Sequence, residues 1–456
     1  MSRTRHLAIA FAVGAMLVAT GLAQRAAAPL SLQDAANIAL EKNPLRKAAL
    51  ADTRAASADV QLARAFLLPH VNFSETATRG NDPVYVFGSR LRQQRFTEAD
   101  FALNSLNTPL PFGNFATRFG GTWNLFDSFA SWHGLTRSRI MSDAAKQQLN
   151  RTDQEVVFHV VESYDQALLA AKQSDVAEQS VKTAQAIVER SQVRVDSGLV
   201  VESDLLTAKV RLASRQQDAI RARNNLALAL AQLNTAMGVP VESSFNLNQT
   251  PSEPQFPVLS LPELEARAVS TRPDLKRIAA EQDAQRQSVS IAKSAFGPQL
   301  NAFAGWEMDN PTFLAGGGGN NWVGGLELKI DLFDGGAKRA ELSRQRALQE
   351  KGTAMRRAAT DGVRLDVRRA YYDVDASRQQ VEVARASIAQ AQDSLRINQD
   401  RYETGLITIT DLLGAEDAAR RSQTDYWDAV FRLRTAYASL ELADGTLNSQ
   451  SLAVMP

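Results

Sequence analysis

The chain has 456 residues, of which 51 are basic and 50 acidic, so its formal net charge is +1. This balance argues against a nucleic-acid partner, because nucleic-acid binders normally carry a basic face or stripe. Aromatic residues make up only 7% of the chain, while Ala, Gln, Arg and Leu dominate, a composition typical of long helices rather than of a mixed enzyme fold.

The N-terminal segment 1–28 has the three parts of a secretory signal peptide. Arg5 precedes an apolar run from Leu7 to Leu22, and small residues follow that run. The alternative is a membrane anchor, but a run of about 16 residues is shorter than the roughly 20 that a spanning helix needs. We therefore expect export, with cleavage after Ala23 or within Ala26–Ala28.

The chain has no cysteine, so we expect neither disulfides nor a thiol for lipidation at the mature N-terminus. No later segment reaches 18 consecutive apolar residues, which argues against a transmembrane helix further along. A secreted protein of this kind is either soluble in the periplasm or spans the outer membrane as strands.

The sequence after the signal segment contains two similar halves. Three pairs of short matches are 229 residues apart (260 − 31): Ser31-Leu32 and Ser260-Leu261, Asn43-Pro44 and Arg272-Pro273, Leu68-Pro69 and Gly297-Pro298. Five further pairs are 207 apart (332 − 125): Leu125-Phe126-Asp127 and Leu332-Phe333-Asp334, Tyr164 and Tyr371, Ser197-Gly198-Leu199 and Thr404-Gly405-Leu406, Asp204-Leu205-Leu206 and Asp411-Leu412-Leu413, Gly238 and Gly445. Agreement at so many positions indicates a tandem duplication.

The duplication divides the chain into two structural repeats, over residues 29–238 and 260–445. The connector 239–259 contains four prolines, so we expect a non-helical segment packed around the outside of the helices. Residues 446–456 are left as a C-terminal tail.

The change of offset means that the first half has 22 additional residues (229 − 207) before Leu125. Insertions of this kind lie in surface loops, so we expect a variable loop from Arg79 to Asn114. The corresponding loop of the second half is predicted from Asp309 to Asn321, with a glycine run at Gly316–Gly319. No Lys-Ser/Thr follows the glycines, so they predict a flexible loop tip rather than a phosphate site.

In chain order, each half is predicted to form a helix, a pair of strands, a long helix, a tight turn and another helix. In the first half the opening helix runs from Ser31 to Phe66, the strands occupy about 70–126, and the long helix follows Asp127 to Asp196. The strand pair of the second half occupies about 299–333.

Apolar residues recur every seven positions along the helices, which predicts left-handed coiled-coil packing. The repeats are Val181, Val188 and Val195; Ile388, Leu395 and Tyr402; Leu205, Leu212, Ala219, Leu226 and Leu233; Leu412, Ala419, Tyr426, Leu433 and Leu440. A helix of about 69 residues is roughly 100 Å long, and two helices of about 36 and 35 residues stacked end to end would match it.

The strand segments alternate between an apolar and a polar face. Phe115, Phe119 and Trp123 oppose Arg118 and Asn124. The last segment behaves in the same way, with one face formed by Leu326, Leu328, Ile330 and Leu332, and the other by Glu327, Lys329 and Asp331. Segments of about ten residues with this pattern are typical of a transmembrane β-barrel, although a soluble sheet with one solvated face is the alternative.

Counting strands then predicts a homotrimer. Four strands per chain cannot close a barrel, and an open sheet edge cannot remain in lipid. Two copies would give eight strands, whose interior is filled by side chains, whereas three copies give twelve strands and room for a water-filled lumen.

With the duplication, the Leu-Phe-Asp strand ends and the paired turns Ser197–Val200 and Thr404–Ile407, the sequence closely resembles the TolC family of outer-membrane efflux proteins. The resemblance covers essentially the whole mature chain. It implies a mixed α and β membrane protein, in which three protomers form a twelve-stranded barrel in outer-membrane lipid above a coiled-coil helical barrel in the periplasm. It also implies two protein partners, a periplasmic adaptor and an inner-membrane pump.

The resemblance places adaptor contacts at the two turns, on Gly198, Leu199, Gly405 and Leu406. The alternative is that these residues only end the helices, since a glycine supplies the left-handed residue that follows a helix. That alternative explains the glycines but explains the shared leucines less well.

The resemblance also places a channel entrance just beside the turns, at Ser203, Asp204, Tyr402 and Asp411. In a trimer each aspartate would form a ring of three carboxylates that favours cations. The alternative is that each carboxylate stabilises the first turn of its helix. Two departures from the family pattern predict a weaker or differently wired closing network: a basic residue expected near Ile407 is absent, and Gly414 stands where a second carboxylate can occur.

We expect no enzyme activity, no cofactor and no metal site. The four histidines are scattered and lack metal-ligand spacing, and no nucleophile or nucleotide-binding motif is present. The predicted function is that of an outer-membrane exit duct of a tripartite efflux or type I secretion system. The alternative is a soluble periplasmic coiled-coil scaffold or adaptor.

Overall fold

The computed structural model describes residues 29–247, 260–314, 318–451 and 453–454. The predicted signal peptide, most of the predicted connector and part of the glycine run lie outside these residues. The first half consists of α1 (Leu32–Lys42), α2 (Pro44–Ala65), β1 (His70–Gly80), α3 (Pro83–Arg92), a 3₁₀ turn (Glu98–Phe101), α4 (Leu103–Asn107), β2 (Phe112–Phe126), α5 (Ala130–Asp196) and α6 (Glu202–Met237). The second half consists of α7 (Leu261–Thr271), α8 (Pro273–Ser294), β3 (Gln299–Asn310), β4 (Gly319–Lys329), α9 (Ala337–Glu403) and α10 (Ile409–Asp444).

Four helices of the first half agree in length with the four helices of the second. Helices α1 and α7 have 11 residues each, and α2 and α8 have 22. Helices α5 and α9 have 67 each, and α6 and α10 have 36. The tandem duplication inferred from the sequence is therefore confirmed in the structure.

The prediction of one continuous opening helix from Ser31 to Phe66 was wrong. The helix is divided at Asn43, whose backbone is extended with φ −59° and ψ 129°, and α2 begins at Pro44. Proline has no N–H group for the preceding helix, and its ring disfavours the helical conformation in the residue before it. Arg272 and Pro273 divide α7 from α8 in the same way.

The predicted end-to-end stack is present: α2 and α6 both pack along the long helix α5, and the short α1 contacts both α5 and α6. Asn43, at the start of α2, donates a hydrogen bond of 2.8 Å from Nδ2 to the carbonyl oxygen of Ala236 near the end of α6. Gly238 has a left-handed φ of +71°, and a Cβ there would lie 2.6 Å from the Cα of Asn43. The 67 residues of α5 span about 100 Å at 1.5 Å per residue.

Heptad positions face the neighbouring helix, as predicted. On α6, Leu205, Ala219 and Leu233 are buried, and on α10 so are Leu412 and Leu440. The largest apolar core joins α1, α5, α6, α9 and α10, and a smaller one lies where the long helices end.

The four strands form one antiparallel sheet in the order β1-β2-β3-β4. Strands β2 and β3, which come from different halves, are joined by pairs such as Phe119 with Trp306. The last strand was predicted too long, because β4 ends at Lys329 and leaves Ile330 and Leu332 outside the sheet. Its partner β3 begins only at Gln299, so no strand residue remains opposite them.

The predicted loop from Arg79 to Asn114 was wrong, because this segment folds as α3, the 3₁₀ turn and α4 between the ends of β1 and β2. The second-half loop is shorter than predicted, since β3 continues to Asn310 and β4 begins at Gly319. In the part of the connector that the structure describes, Leu247 forms a parallel bridge with Leu30. None of the described helices is both long and apolar enough to cross a membrane.

Candidate functional site at the helical tips

Helices α5 and α9 end in turns of the same type, which form the tips of the molecule. Gly198 and Gly405 have left-handed φ angles of +67° and +77°. In the first turn, the amides of Gly198 and Leu199 donate to the carbonyl oxygens of Val195 and Arg194, both at 2.9 Å. In the second turn, the amides of Gly405 and Leu406 donate to the carbonyl oxygens of Tyr402 and Arg401 in the same way. Each turn is therefore a Schellman motif, and both glycines have the predicted helix-ending role.

The leucines after the glycines are not used to pack the turns. In a Schellman motif, the residue after the glycine usually contacts an apolar residue in the last helical turn. Here that partner position is an arginine, and Leu199 and Leu406 are 69% and 74% exposed. Two large apolar side chains therefore project from the tips without a partner in the described protomer.

A small apolar cluster connects the four long helices beneath the tips. Its buried members are Ile187, Ala208, Tyr402, Ile409, Leu412 and Leu413. Tyr402 is 5% exposed, and its hydroxyl lies 3.5 Å from the Oγ atom of Ser191. The tyrosine that was predicted to belong to the entrance is therefore a core residue of the tip.

Two arginines that sequence reasoning missed join the tip of α5 to that of α9. Arg194 donates from Nη1 to the carbonyl oxygens of Tyr402 at 3.1 Å and Glu403 at 3.0 Å, and its guanidinium lies 5.1 Å from the Tyr402 ring centroid. Arg190 contacts the Glu403 carboxylate at 2.7 Å. The duplication offered one signal, since Arg194 has an equivalent in Arg401 at the shared offset of 207.

The two predicted entrance aspartates have different environments. Asp411 accepts hydrogen bonds from the Thr408 hydroxyl at 2.7 Å and the Thr408 amide at 3.0 Å. These bonds hold the pKa of Asp411 below its ordinary value. Asp204 has the same position in α6, but the N-cap there is Val201, which has no hydroxyl to bond. Asp411 therefore takes part in a capping box, whereas Asp204 lies in the first turn of α6 without a capping hydrogen bond.

The four predicted entrance residues form no hydrogen bond with one another in the described protomer. Asp411 bonds Thr408, the Tyr402 hydroxyl faces Ser191, and the carbonyl oxygen of Ser203 accepts from the Thr207 hydroxyl at 2.8 Å. A closing network of these residues would therefore need other protomers.

A buried charged cluster joins α6 to α10 a few turns from the tips. Arg215 and Glu416 are 3% and 4% exposed, and the Asp417 carboxylate contacts both Arg215 and Arg211. Burial raises the pKa of Glu416, although nearby Arg215 lowers it. A buried ion cluster fixes which groups face each other, even where it adds little net stability.

Comparison with protein families finds the model described as "Outer membrane efflux protein" in both halves of the chain, at residues 35–239 and 265–446. The alkaline protease secretion protein AprF of Pseudomonas aeruginosa is 22% identical over 439 residues, which cover 93% of this chain and 86% of AprF. Protein CyaE of Bordetella pertussis is 26% identical over 433 residues, covering 93% and 85%. The outer membrane protein TolC of Escherichia coli is 22% identical over 428 residues, covering 91% and 82%.

Solved structures show the same fold. The Campylobacter jejuni CmeC outer membrane channel superimposes with a TM-score of 0.79 at 16% identity, covering 92% of this chain and 87% of CmeC. A CusC structure superimposes with a TM-score of 0.75 at 17% identity, covering 91% and 92%. The fold class predicted from the sequence and the resemblance to the TolC family are both confirmed. With its family model matched in each of the two repeats, the chain belongs to the outer membrane efflux protein family.

Proposed function

We propose that the protein is the outer-membrane exit duct of a tripartite efflux or type I secretion system. The observation that carries this proposal is the continuity of a sheet having one apolar face with helices about 100 Å long in a single protomer. A duct of that form takes substrate from an inner-membrane pump and conducts it past the periplasm and the outer membrane. Among the similar proteins, AprF is named for alkaline protease secretion and OpmQ for pyoverdine export.

The two faces of the sheet support contact with lipid on one side and water on the other. Phe73, Phe119, Trp306 and Trp322 are paired in register across all four strands and so share one face. Arg118 and Glu307 are also paired and belong to the opposite face, where they contact at 2.7 Å. Apolar side chains outward and polar side chains inward are the arrangement of a membrane barrel.

The open edges of the sheet support a homotrimer. Strands β1 and β4 each have one unpaired edge in the protomer, and lipid does not tolerate unpaired strand edges. The tips support the same assembly, because Arg194 contacts the next tip within the chain, whereas its equivalent Arg401 is exposed and has no partner in the described protomer. In a ring of protomers, the first tip of the neighbouring chain would supply that partner.

The test of this proposal is reconstitution of detergent-purified protein into planar lipid bilayers, together with native mass spectrometry. We expect discrete channels and a mass of three protomers. A protein that stays monomeric in solution without detergent and forms no channel would instead support the periplasmic scaffold.

We propose that the exposed tip leucines contact the periplasmic adaptor. Replacing Leu199 and Leu406 with Ser removes the two apolar groups while leaving both glycine turns intact. We expect loss of export and of tip-to-adaptor cross-linking, with normal folding and assembly. Leu228→Ser is the matched control, because Leu228 is 56% exposed on α6 away from the tip. Cross-linking that persists in the double variant would exclude these leucines as the contact.

We propose that Asp204 and Asp411, with Ser203 and Tyr402 beside them, surround the channel entrance. Asp204→Asn keeps the side-chain shape and removes one charge per protomer, and it breaks no hydrogen bond of the described protomer. We expect higher single-channel conductance and weaker block by multivalent cations. Asp411→Asn should also weaken the block by multivalent cations. In addition it should lower thermal stability, because it weakens the hydrogen bonds between Asp411 and Thr408 at the start of α10. Unchanged block in both variants would leave the aspartates with local roles only.

A further inference from the structure

The extra residues of the first half form a folded unit at the end of the sheet that faces away from the long helices. Phe96 lies between Phe87 and Phe101, with ring centroids 4.8 and 5.1 Å away. Arg90 and Asp100 form an ion pair across the unit. We call the segment 81–111 the cap. Because of this internal packing, the cap has one preferred conformation, unlike an unstructured loop.

The cap is attached to the polar face of the sheet. Arg92, the last residue of α3, contacts the Glu307 carboxylate through Nη1 at 2.9 Å. The other oxygen of Glu307 accepts from Arg118 Nη2 at 2.7 Å. Since Glu307 and Arg118 belong to the face opposite the aromatic row, α3 ends over the polar side.

A buried polar contact fixes the cap beside this ion pair. Gln93 is 1% exposed, and its Nε2 lies 2.8 Å from Asn114 Oδ1, 3.0 Å from the Gly113 carbonyl oxygen and 3.2 Å from the Asn310 carbonyl oxygen. Asn114 in turn donates to Asp309 at 2.5 Å. These acceptors come from both halves of the chain, so the cap spans the junction between β2 and β3.

Gly319, the first residue of β4, shows how closely the cap approaches the sheet. A Cβ atom at this position would collide with the backbone carbonyl oxygen of Arg92. The end of α3 therefore lies directly against the backbone of the second hairpin. It occupies the space that the side chain of any residue other than glycine at position 319 would need.

We propose that the cap reaches over the lumen at the extracellular mouth and limits the size of what can leave. This inference rests on the proposed function, because the polar face lines a lumen only in a closed barrel. The helices continue from one end of the sheet into the periplasm, so the opposite end, which carries the cap, is extracellular. Three copies around the mouth would narrow it from three sides.

The test compares single-channel conductance of the wild type with that of a variant in which a short Gly-Ser turn replaces residues 81–111. Gly80 and Phe112 are paired partners, so a short turn can join β1 to β2 without changing their register. We expect conductance to rise about twofold or more, and larger neutral polymers added on the extracellular side to enter the pore, because a polymer from that side meets the cap before the proposed entrance at Asp204 and Asp411. Equal conductance together with equal polymer entry would show that the cap does not cover the lumen and would overturn the proposal.

Two point variants keep the test independent of the deletion's folding. Glu307→Gln and Gly319→Ala should both increase transitions to the larger conductance level, because each loosens a contact of α3. Glu327→Gln is the matched control, since Glu327 shares the polar face and has no contact with the cap. If the point variants and the control behave alike, the docking of the cap does not limit conductance.

The absence of cysteine in the sequence allows a direct check of where the cap lies in the membrane-embedded protein. In the Arg92→Cys/Glu307→Cys variant, a short bifunctional maleimide should join the two positions and keep the channel at its lower conductance. Failure to cross-link would overturn the docking. If the wild type itself forms no channel, the proposed function fails, whereas channels that the deletion leaves unchanged refute only the cap.

Discussion

Replacing Arg194 with Gln tests whether this arginine holds the tips of α5 and α9 together. The side chain is the main polar connection between them, through two carbonyl oxygens of the last turn of α9 and the ring of Tyr402. Glutamine keeps part of the aliphatic stem but loses the charge and the forked geometry. The change should therefore separate the tips while leaving the apolar cluster below them intact.

The magnitude follows from the contacts. Each charge-assisted hydrogen bond contributes about 1 kcal/mol at a partly exposed position. A cation at a helix C-terminus and a cation over an aromatic ring each contribute about 0.5 kcal/mol or less when water is near. We take about 2 kcal/mol for the whole contact, which corresponds to about a 30-fold change in the equilibrium between joined and separated tips.

Hydrogen–deuterium exchange of the peptide around Glu403–Leu406 measures this equilibrium. We expect exchange about 30-fold faster in Arg194→Gln, and an intermediate increase in Arg194→Lys, because lysine keeps the charge without the fork. Arg396→Gln is the control, since Arg396 is exposed on α9 and contacts only Asp393, at 4.0 Å. Exchange in Arg194→Gln that matches the control would refute the role given to Arg194.

Two further predictions concern the stability of the helical region. Burial raises the pKa of Asp165 to about 7 from 3.8, although Arg434 lies 3.3 Å away and lowers it, so the folded protein binds a proton that the unfolded chain releases. The free energy of unfolding should therefore fall by up to about 4 kcal/mol as the pH rises through this range, and melting temperatures in detergent from pH 4 to 8 should show a slope that Asp165→Asn lacks. Gly238→Ala should prevent folding or cost more than about 3 kcal/mol, because its Cβ would collide with Asn43, whereas Gly198→Ala, with a similar φ but open space, should cost about 1 kcal/mol in denaturant titrations.

Local chemistry determined much of the fold. Glycines that must adopt a left-handed φ marked the ends of the long helices, and seven-residue spacing marked the faces along which they pack. Alternation marked the sheet faces, because successive side chains of a strand point in opposite directions. The division of the opening helix at Pro44 was also local information, since a proline disfavours helix in the residue before it.

Part of the candidate site could also be predicted from the sequence. The predicted turns at Gly198 and Gly405 are present, and their leucines are exposed. The difference between Asp204 and Asp411 follows from the preceding residues, because Thr408 has a capping hydroxyl and Val201 has none. The equal positions of the two aspartates in the duplication predict equal roles, whereas the N-cap residues before them differ.

Only the tertiary structure decided which distant residues meet. Arg194 contacts the end of a helix more than 200 positions further along the chain, and Arg92 contacts Glu307 in the other half. The periodicity of the sequence does not predict such pairs, because an arginine on the surface of a helix can equally face water or contact a distant residue. The sequence by itself determined the repeated helices, strands and turns through local backbone and side-chain chemistry, while the joining of the tips and the placement of the cap over the polar face required the three-dimensional packing of the two repeats.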